Sequence, residues 1–373
     1  MMSSSKRILA PLSLFFLCSL AIAAPSEDAA GDLSLVRRAH YVMGTVFEIE
    51  AYGSDANRTA AAIEEAFQAI RQADAILSDY RDDSELSRLN RDGAQGFVAL
   101  SPDLYGVFQT SVEYSRVTDS AFDVTVGPLV DIWRRASKQD RWPEDGELSR
   151  VRSLVGFGRL QFDAARRAAR FTQPGMRVDF GGIGKGWAID RAAEVLRKQG
   201  IERALISAGT SSVYAMGAPP GEAAWKIAVR HPLREDAALA VVSLRDESLS
   251  TSAGYEQDDE IAGRPYSHIL DPRTGLPVEG MRSATVIAPT AAESDALSTA
   301  AFVLGIEQSE RLLSERGLSA ILAAKGRGKE DLVVRTVTDP RRTAESELGI
   351  DMGSDEDSNG GEGPGRDTRK EQQ

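Results

Sequence analysis

The sequence predicts an α+β fold in one mixed unit that spans about residues 33–340 and could divide into two lobes. Three observations predict it. Some segments place apolar residues at every second position, as strands do, whereas others place them at the 3.6-residue period of a helix. The two kinds of segment alternate irregularly, which disfavours a barrel or a doubly wound sheet, and no internal repeat relates them.

Residues 1–23 have the layout of a secretory signal peptide. Lys6 and Arg7 precede an apolar run, and small residues end it at Ala23, where we expect cleavage. The single cysteine, Cys18, lies in this segment without the small neighbour that a bacterial lipoprotein signal requires. We therefore expect an exported, periplasmic protein that is soluble after cleavage, is not a lipoprotein and has no disulfide.

The charge balance limits the kinds of partner. Among 373 residues, 44 Lys and Arg stand against 56 Asp and Glu, which gives a net charge of −12 and disfavours nucleic acid. Residues 343–373 are rich in Glu, Asp, Ser and Gly and predict a disordered acidic tail, with an acidic interaction arm as the alternative. An anionic ligand would therefore need local positive charge or a metal ion.

The first predicted elements are a strand and a helix. Residues 41–52 place Phe47, Ile49 and Ala51 on one face and two glutamates on the other, which predicts one half-buried strand. Residues 56–77 keep a helical period, and Asp55 can cap that helix. Further helices are predicted at residues 84–90 and 102–116, and further strands at residues 225–230 and 238–244.

A glycine-rich loop follows in the middle of the chain. Residues 178–186 read as a short strand ending in Asp179 and then four glycines with Lys185, before a helix at residues 187–198. Left-handed glycines and a helix N-terminus would aim successive N–H groups at a phosphate. The Walker A and dinucleotide-binding patterns do not fit, because Gly186 follows the lysine and the glycine spacing differs. A tightly packed turn with no ligand is the alternative.

A second group of polar residues lies on a late helix. Thr290 and Glu293 form a capping-box pattern, which predicts a helix that runs to Gly305. Asp295 and Thr299 are four residues apart on it and share one face, and their hard oxygens suit Mg²⁺. From spacing alone, an exposed polar pair on an amphipathic helix is the simpler interpretation.

One histidine lies in a segment dense with turn-forming residues. His268 could act as a base, and a hydrogen-bonded structural histidine is the alternative. The chain has three histidines without the spacing of a zinc site.

Together these segments resemble the ApbE family, the FAD:protein FMN transferases. The segments that carry the resemblance are residues 43–45, 77–81, 84–90, 121–129, 179–186, 249–254, 266–275, 295–299 and 302–305. Such a series, in this order, is far more specific than any one of its parts. It favours the ligand-binding interpretations of the loop, the late helix and the histidine.

The resemblance implies a fold of the ApbE, T-fold-like type over residues 33–340. It also implies a Mg²⁺-dependent reaction in which FAD is split, FMN is attached through a phosphoester to a threonine of a target protein, and AMP is released. The implied partners are FAD, as substrate, and acceptor proteins that carry a flavinylation threonine, such as subunits of membrane electron-transport complexes.

The resemblance also implies roles for particular residues. The positions that match FAD contacts in the family are Met43, Tyr80, Ala121, Phe122, Asp123, Asp179 and Lys185, with His268 and Ile269 on the flavin side. The metal would lie between the carbonyl of Gly182, Asp295 and Thr299, with Ser298 adjacent. The candidate catalytic residues are therefore His268, as general base, and Asp295.

Two other functions remain open on the sequence. In an FAD pyrophosphatase, water would replace the threonine hydroxyl and the products would be FMN and AMP. In a non-catalytic flavin-binding or storage protein, neither product would form, although bare binding does not require the polar pair at Asp295 and Thr299.

Overall fold

The computed structural model describes residues 33–234, 236–254, 259–328 and 331–339. The predicted signal peptide and acidic tail lie outside these residues and stay predictions. Within the described ranges the chain forms seven α-helices and fifteen strands. The strands are β1 Ser34–Val42, β2 Thr45–Gly53, β3 Val98–Ala99, β4 Leu160–Asp163, β5 Ala168–Phe171, β6 Arg203–Ala208, β7 Ser212–Met216, β8 Trp225–Arg230, β9 Ala238–Leu244, β10 Glu247–Ala253, β11 Asp259–Ile261, β12 Arg264–Tyr266, β13 Met281–Ala288, β14 Ser319–Lys325 and β15 Leu332–Val337. The helices are α1 Ala56–Leu77, α2 Glu85–Asp92, α3 Pro102–Val117, α4 Gly127–Gln139, α5 Asp145–Arg152, α6 Gly184–Lys198 and α7 Ala291–Arg316.

The fold is α+β, as the sequence predicts. Among the described residues, eight strands pair in the order β1-β2-β6-β7-β10-β13-β14-β15, and each neighbouring pair is antiparallel. Helices α1, α6 and α7 pack against this sheet, and α6 contacts both of the other two helices. The three helices bring the glycine-rich loop and the polar pair to the same part of the molecule. No helix of the described residues has both the length and the apolarity needed to cross a bilayer.

The prediction of one continuous strand at residues 41–52 is wrong. The chain reverses at Met43 and Gly44, whose φ angles are 52° and 75°, so two paired strands form in place of one. The predicted inner face of β2 is correct, because Phe47, Ile49 and Ala51 are fully buried. Burying a large apolar side chain of this kind stabilises the fold by about 1.5–3 kcal/mol.

Several local predictions are confirmed. Helix α1 has the predicted bounds, and the Asp55 carboxylate accepts hydrogen bonds from the N–H groups of Asn57 and Arg58. Strands β8 and β9 also have the predicted bounds. In α7 the Thr290 hydroxyl accepts from the Glu293 N–H, and the helical geometry breaks at Gly305, after which the helix resumes to its end.

The strand predicted before the glycine-rich loop does not form. Val178 exchanges two hydrogen bonds with the side-chain amide of Asn90, at 2.8 and 2.9 Å, so that an asparagine takes the place of a neighbouring strand. Helix α6 begins at Gly184, three residues earlier than predicted. Lys185 therefore lies in the first turn of the helix.

Candidate functional site

Two adjoining cavities form one cleft beside the start of α6. Their volumes are about 1050 Å³ and about 450 Å³. The larger cavity lies between the β1–β2 turn and the end of α1, and the smaller lies between residues 121–124, residues 266–270 and α7. The residues that line both are Asp79, Tyr80, Asp179, Gly181, Lys185, Thr210 and Ser211. The shared walls make the two cavities parts of a single binding space.

The cleft collects nearly all of the site residues that the sequence predicts. Met43 lines the larger cavity, and Tyr80, Asp179 and Lys185 line both. The predicted residues that line the smaller cavity alone are Ala121, Phe122, Asp123, Gly182, His268, Ile269, Asp295 and Thr299. Ser298 does not line it: its side chain is fully buried, and its hydroxyl donates to the Asp295 carbonyl at 3.0 Å.

The glycine-rich loop and α7 are in direct contact. The Gly186 N–H donates to Oδ2 of Asp295 at 2.9 Å, and a Cβ at Gly186 would lie 2.1 Å from the Ala291 carbonyl oxygen. A Cβ at Gly182 would lie 3.1 Å from Oγ1 of Thr299. The approach at Gly186 is too close for any side chain, and at Gly182 a side chain would press on Thr299.

The predicted arrangement of amides around a phosphate is wrong for most of this loop. None of its four glycines has a positive φ. The Gly181 N–H donates to Oδ1 of Asp179 at 2.7 Å, and the Gly184 N–H donates to the Phe180 carbonyl at 2.7 Å. Because these donors are used within the loop, positive charge for an anion comes mainly from the Lys185 ammonium and the N-terminus of α6. In the part of the chain that the structure describes, Lys185 makes no salt bridge.

The oxygens beside the loop fit a Mg²⁺ ion. Asp295 is only 5% exposed, its Oδ2 accepts from the loop, and its Oδ1 has just a long contact of 3.5 Å to the Ser212 hydroxyl. No group of three His, Cys, Asp or Glu side chains comes together within the described ranges. One carboxylate, one hydroxyl and a backbone carbonyl suit Mg²⁺, which usually completes its octahedron with phosphate and water. The donors Asp295, Thr299 and Gly182 would hold the ion.

The position of α7 is fixed at its first turn by Asp190 of α6. The two carboxylate oxygens of Asp190 accept hydrogen bonds from the N–H groups of Ala291 and Ala292, at 2.8 and 2.9 Å. Burial raises the pKa of Asp190 to about 6, although these two hydrogen bonds act in the opposite direction. The cap thus joins the helix that carries Lys185 to the helix that carries Asp295.

A charged network lies under the part of the cleft that both cavities share. Oδ2 of Asp79 lies 3.3 Å from Arg134 and 3.7 Å from Arg177. The Arg134 guanidinium also stacks on the exposed Tyr80 ring, 4.8 Å from its centroid. Burial and the neighbouring Asp79 carboxylate raise the pKa of Asp179. The arginines therefore offset part of the negative charge of this acidic wall.

The Asp123 side chain has a structural task. Its Oδ1 accepts from the N–H and the hydroxyl of Thr125, at 2.8 and 2.6 Å, and its Oδ2 accepts from the Phe157 N–H at 2.9 Å. Burial raises the pKa of Asp123, and these hydrogen bonds oppose that rise. With both oxygens engaged, this carboxylate shapes the loop, so a ligand contact here would come chiefly from the backbone.

The loop that carries His268 is held against α4 by a hydrogen bond. The backbone N–H and carbonyl of Ile269 in this loop already have hydrogen-bond partners. The Trp133 indole N–H donates to the Gly275 carbonyl at 2.8 Å. The Ile269 N–H donates to the Ser267 hydroxyl at 3.1 Å, and its carbonyl accepts from the Val278 N–H at 2.9 Å. His268 itself is exposed and lines the smaller cavity.

Several polar cleft residues were not among the predicted site residues. Thr210 and Ser211 lie in the β6–β7 turn, Ser252 ends a row of serines on β10, and Arg134 extends from α4. The serines at every second position of β10 could have indicated a polar face, because alternate residues of a strand lie on the same face. Nothing local marks Arg134, whose partners Asp79 and Tyr80 lie 55 and 54 residues away in the sequence.

A family model and individual relatives both relate this sequence to the same family. The model of the ApbE family matches residues 43–322. An FAD:protein FMN transferase of Escherichia coli K12 is 32% identical over 289 residues, which cover 76% of this chain and 82% of the relative. One from Treponema pallidum is 32% identical over 295 residues, covering 74% of this chain and 81% of the relative.

Solved structures agree with the sequence comparisons. The flavin transferase ApbE from Vibrio cholerae superposes with a TM-score of 0.71 at 27% identity, covering 82% of this chain and 98% of that one. The ApbE protein from Thermotoga maritima superposes with a TM-score of 0.72 at 26% identity, covering 81% and 96%. The likeness extends over nearly the whole length of these two structures.

Proposed function

The chain belongs to the ApbE family, and from that membership we propose that it is a Mg²⁺-dependent FAD:protein FMN transferase. It splits FAD, attaches FMN through a phosphoester to a threonine of a target protein and releases AMP. Relatives named as FAD:protein FMN transferases support the reaction type. The metal, the threonine and the leaving AMP are parts of the proposal.

One observation carries the proposal. The Gly186 N–H contacts Oδ2 of Asp295, so a cation on α6 and a carboxylate on α7 border the same cleft. An FAD diphosphate carries two negative charges and needs compensating positive charge inside an acidic protein. Lys185 would supply part of it, and a metal ion held by Asp295 and Thr299 would supply the rest.

The chemistry divides among the residues of the cleft. Lys185 binds the diphosphate and holds it beside the residues that hold the metal. Mg²⁺, when bound, polarises the attacked phosphorus and offsets the charge that develops on the leaving group. His268 takes the proton of the acceptor hydroxyl, whose oxygen forms a bond to the FMN phosphorus. The bond from that phosphorus to the bridging oxygen breaks, and AMP leaves with the oxygen.

We also propose where the enzyme acts. The signal-peptide pattern of residues 1–23 supports export to the periplasm as a soluble protein without a lipid anchor. The targets there are exported proteins with a flavinylation threonine, such as subunits of membrane electron-transport complexes. The net charge of −12 supports a partner other than nucleic acid.

Incubation with FAD, Mg²⁺ and an acceptor domain tests the proposal. Transfer predicts flavin bound covalently to the acceptor, AMP in equal amount, and no labelling of an acceptor whose threonine is changed to valine. Free FMN and AMP without a labelled acceptor would instead indicate an FAD pyrophosphatase. Bound but intact FAD would indicate a storage protein.

A further inference from the structure

Serine hydroxyls form a buried seam between β10 and α7. Ser248 and Ser250 lie on the face of β10 that meets the helix, and each places its Oγ within 2.9 Å of the Ser294 hydroxyl. Ser252 continues this face to the cleft, where its Oγ lies 3.0 Å from Ser298 and 3.2 Å from Thr299. The last serine of the seam thus contacts a candidate metal ligand.

Each hydroxyl carries a single hydrogen, which limits which hydroxyl donates and which accepts at the Ser252 end of the seam. Ser298 donates its hydrogen to the Asp295 carbonyl at 3.0 Å, so its contact with Ser252 requires the Ser252 hydroxyl to donate. Once the Ser252 hydrogen is used, its contact with Thr299 requires the Thr299 hydroxyl to donate.

A second acceptor for the Thr299 hydrogen is already occupied. The Asp295 carbonyl lies 3.2 Å from Oγ1 of Thr299. Its two lone pairs already accept the Ser298 hydroxyl and the helical N–H four residues ahead, which belongs to Thr299 itself. The arrangement that gives each hydrogen its own acceptor lone pair runs from Thr299 to Ser252, from Ser252 to Ser298, and from Ser298 to the carbonyl.

We propose that Ser252 is a positioning residue of the metal site, because it accepts the Thr299 hydrogen and leaves both lone pairs of Oγ1 open to a cation in the cleft. This inference rests on the proposed function, which places Mg²⁺ between Asp295 and Thr299. Without Ser252 the Thr299 hydroxyl can rotate, and its hydrogen can turn into the space of the ion. Partners that orient metal ligands in this way typically change metal affinity by about 10–100-fold when they are removed.

The test compares two serines of the same seam. Ser252→Ala and Ser250→Ala each remove one hydroxyl that contacts α7, but only the first hydroxyl reaches Thr299. Mn²⁺ binding to the FAD-loaded proteins is measured by electron paramagnetic resonance, and FAD affinity is measured without metal. We expect Ser252→Ala to weaken Mn²⁺ binding about 10-fold with unchanged FAD affinity. Ser250→Ala and Ser252→Thr, which keeps the hydroxyl, should bind Mn²⁺ like the wild type.

Two results would overturn the inference. One is Mn²⁺ binding by Ser252→Ala at the wild-type affinity. The other is an equal loss in Ser252→Ala and Ser250→Ala, which would mean that the seam only fastens the helix. Because the measurement needs neither acceptor nor turnover, a wild type that binds Mn²⁺ with FAD but transfers no FMN would defeat the proposed function and leave this inference standing.

Discussion

The backbone N–H of Gly186 donates to Oδ2 of Asp295 at 2.9 Å, across 109 positions of sequence. This contact brings the first turn of α6, with Lys185, against the first turns of α7. It requires a glycine, since a Cβ there would lie 2.1 Å from the Ala291 carbonyl oxygen. The contact also occupies one carboxylate oxygen and leaves the other for a cation.

Changing Asp295 to asparagine should strongly reduce metal-dependent turnover while preserving the fold. An asparagine carbonyl can still accept from the Gly186 N–H, so the substitution removes mainly the negative charge. We expect FAD cleavage to fall by about 10²–10³-fold, which corresponds to about 3–4 kcal/mol of transition-state stabilisation. Initial rates over a Mg²⁺ titration measure it, with circular dichroism to monitor folding. Wild-type rates in the variant would remove the metal assignment.

Changing Lys185 to alanine should weaken FAD binding more than it slows chemistry. The ammonium lines both cavities, and a charge-assisted contact of this kind contributes about 1.5–3 kcal/mol, or roughly 10–100-fold in Kd. Flavin fluorescence titration measures the affinity. Lys198→Ala, at the exposed far end of the same helix, is the matched control and should bind FAD normally. Equal affinities in the two variants would contradict the role given to Lys185.

Changing His268 to alanine should slow transfer to the acceptor while FAD stays bound. A general base typically contributes about 10²–10⁴-fold, and the exposed position of His268 leaves it accessible to a second substrate. Single-turnover transfer from enzyme loaded with FAD isolates this step from binding. His231→Ala removes a histidine outside the cleft and controls for the loss of an imidazole. Full activity without His268 would place the base elsewhere.

The Asp190 cap predicts a pH dependence of stability. Its pKa is raised in the folded protein from 3.8 to about 6, so the folded state binds more protons than the unfolded state in that interval. The free energy of unfolding therefore falls as the pH rises through this interval, by about 3 kcal/mol from this residue. Urea unfolding at several pH values should show a shallower fall for Asp190→Asn than for the wild type. The exposed Asp82→Asn is the control, and parallel curves for all three proteins would refute the prediction.

The sequence predicted best what is encoded locally. The bounds of α1, its Asp55 cap and the Thr290 cap that starts α7 depend on neighbours within one helical turn, and all are confirmed. The turn at Met43 was missed because a methionine at positive φ gives no compositional signal. Val178 was misread as a strand because its partner, the Asn90 side chain, lies 88 residues away.

The candidate site, like the fold, could be predicted only in part. Residue types and their order led to the family and to a set of residues that the fold gathers in one cleft. The hydrogen-bond partners of the polar groups in that cleft could not be predicted. The Gly186 amide, one oxygen of Asp123 and the Ser252 hydroxyl bind partners distant in sequence. The Gly181 and Gly184 amides bind acceptors within the loop itself, which residue types alone do not reveal. The catalytic and binding roles of the predicted residues stay predictions.

The most direct test of a shared diphosphate and metal site is anomalous diffraction from crystals grown with FAD and Mn²⁺. A shared site predicts one anomalous peak at coordination distance, roughly 2.0–2.3 Å, from oxygens of Asp295 and Thr299, with the FAD diphosphate against it and Lys185 on the other side of the diphosphate. A metal bound elsewhere in the cleft, or a diphosphate away from α7, would contradict it.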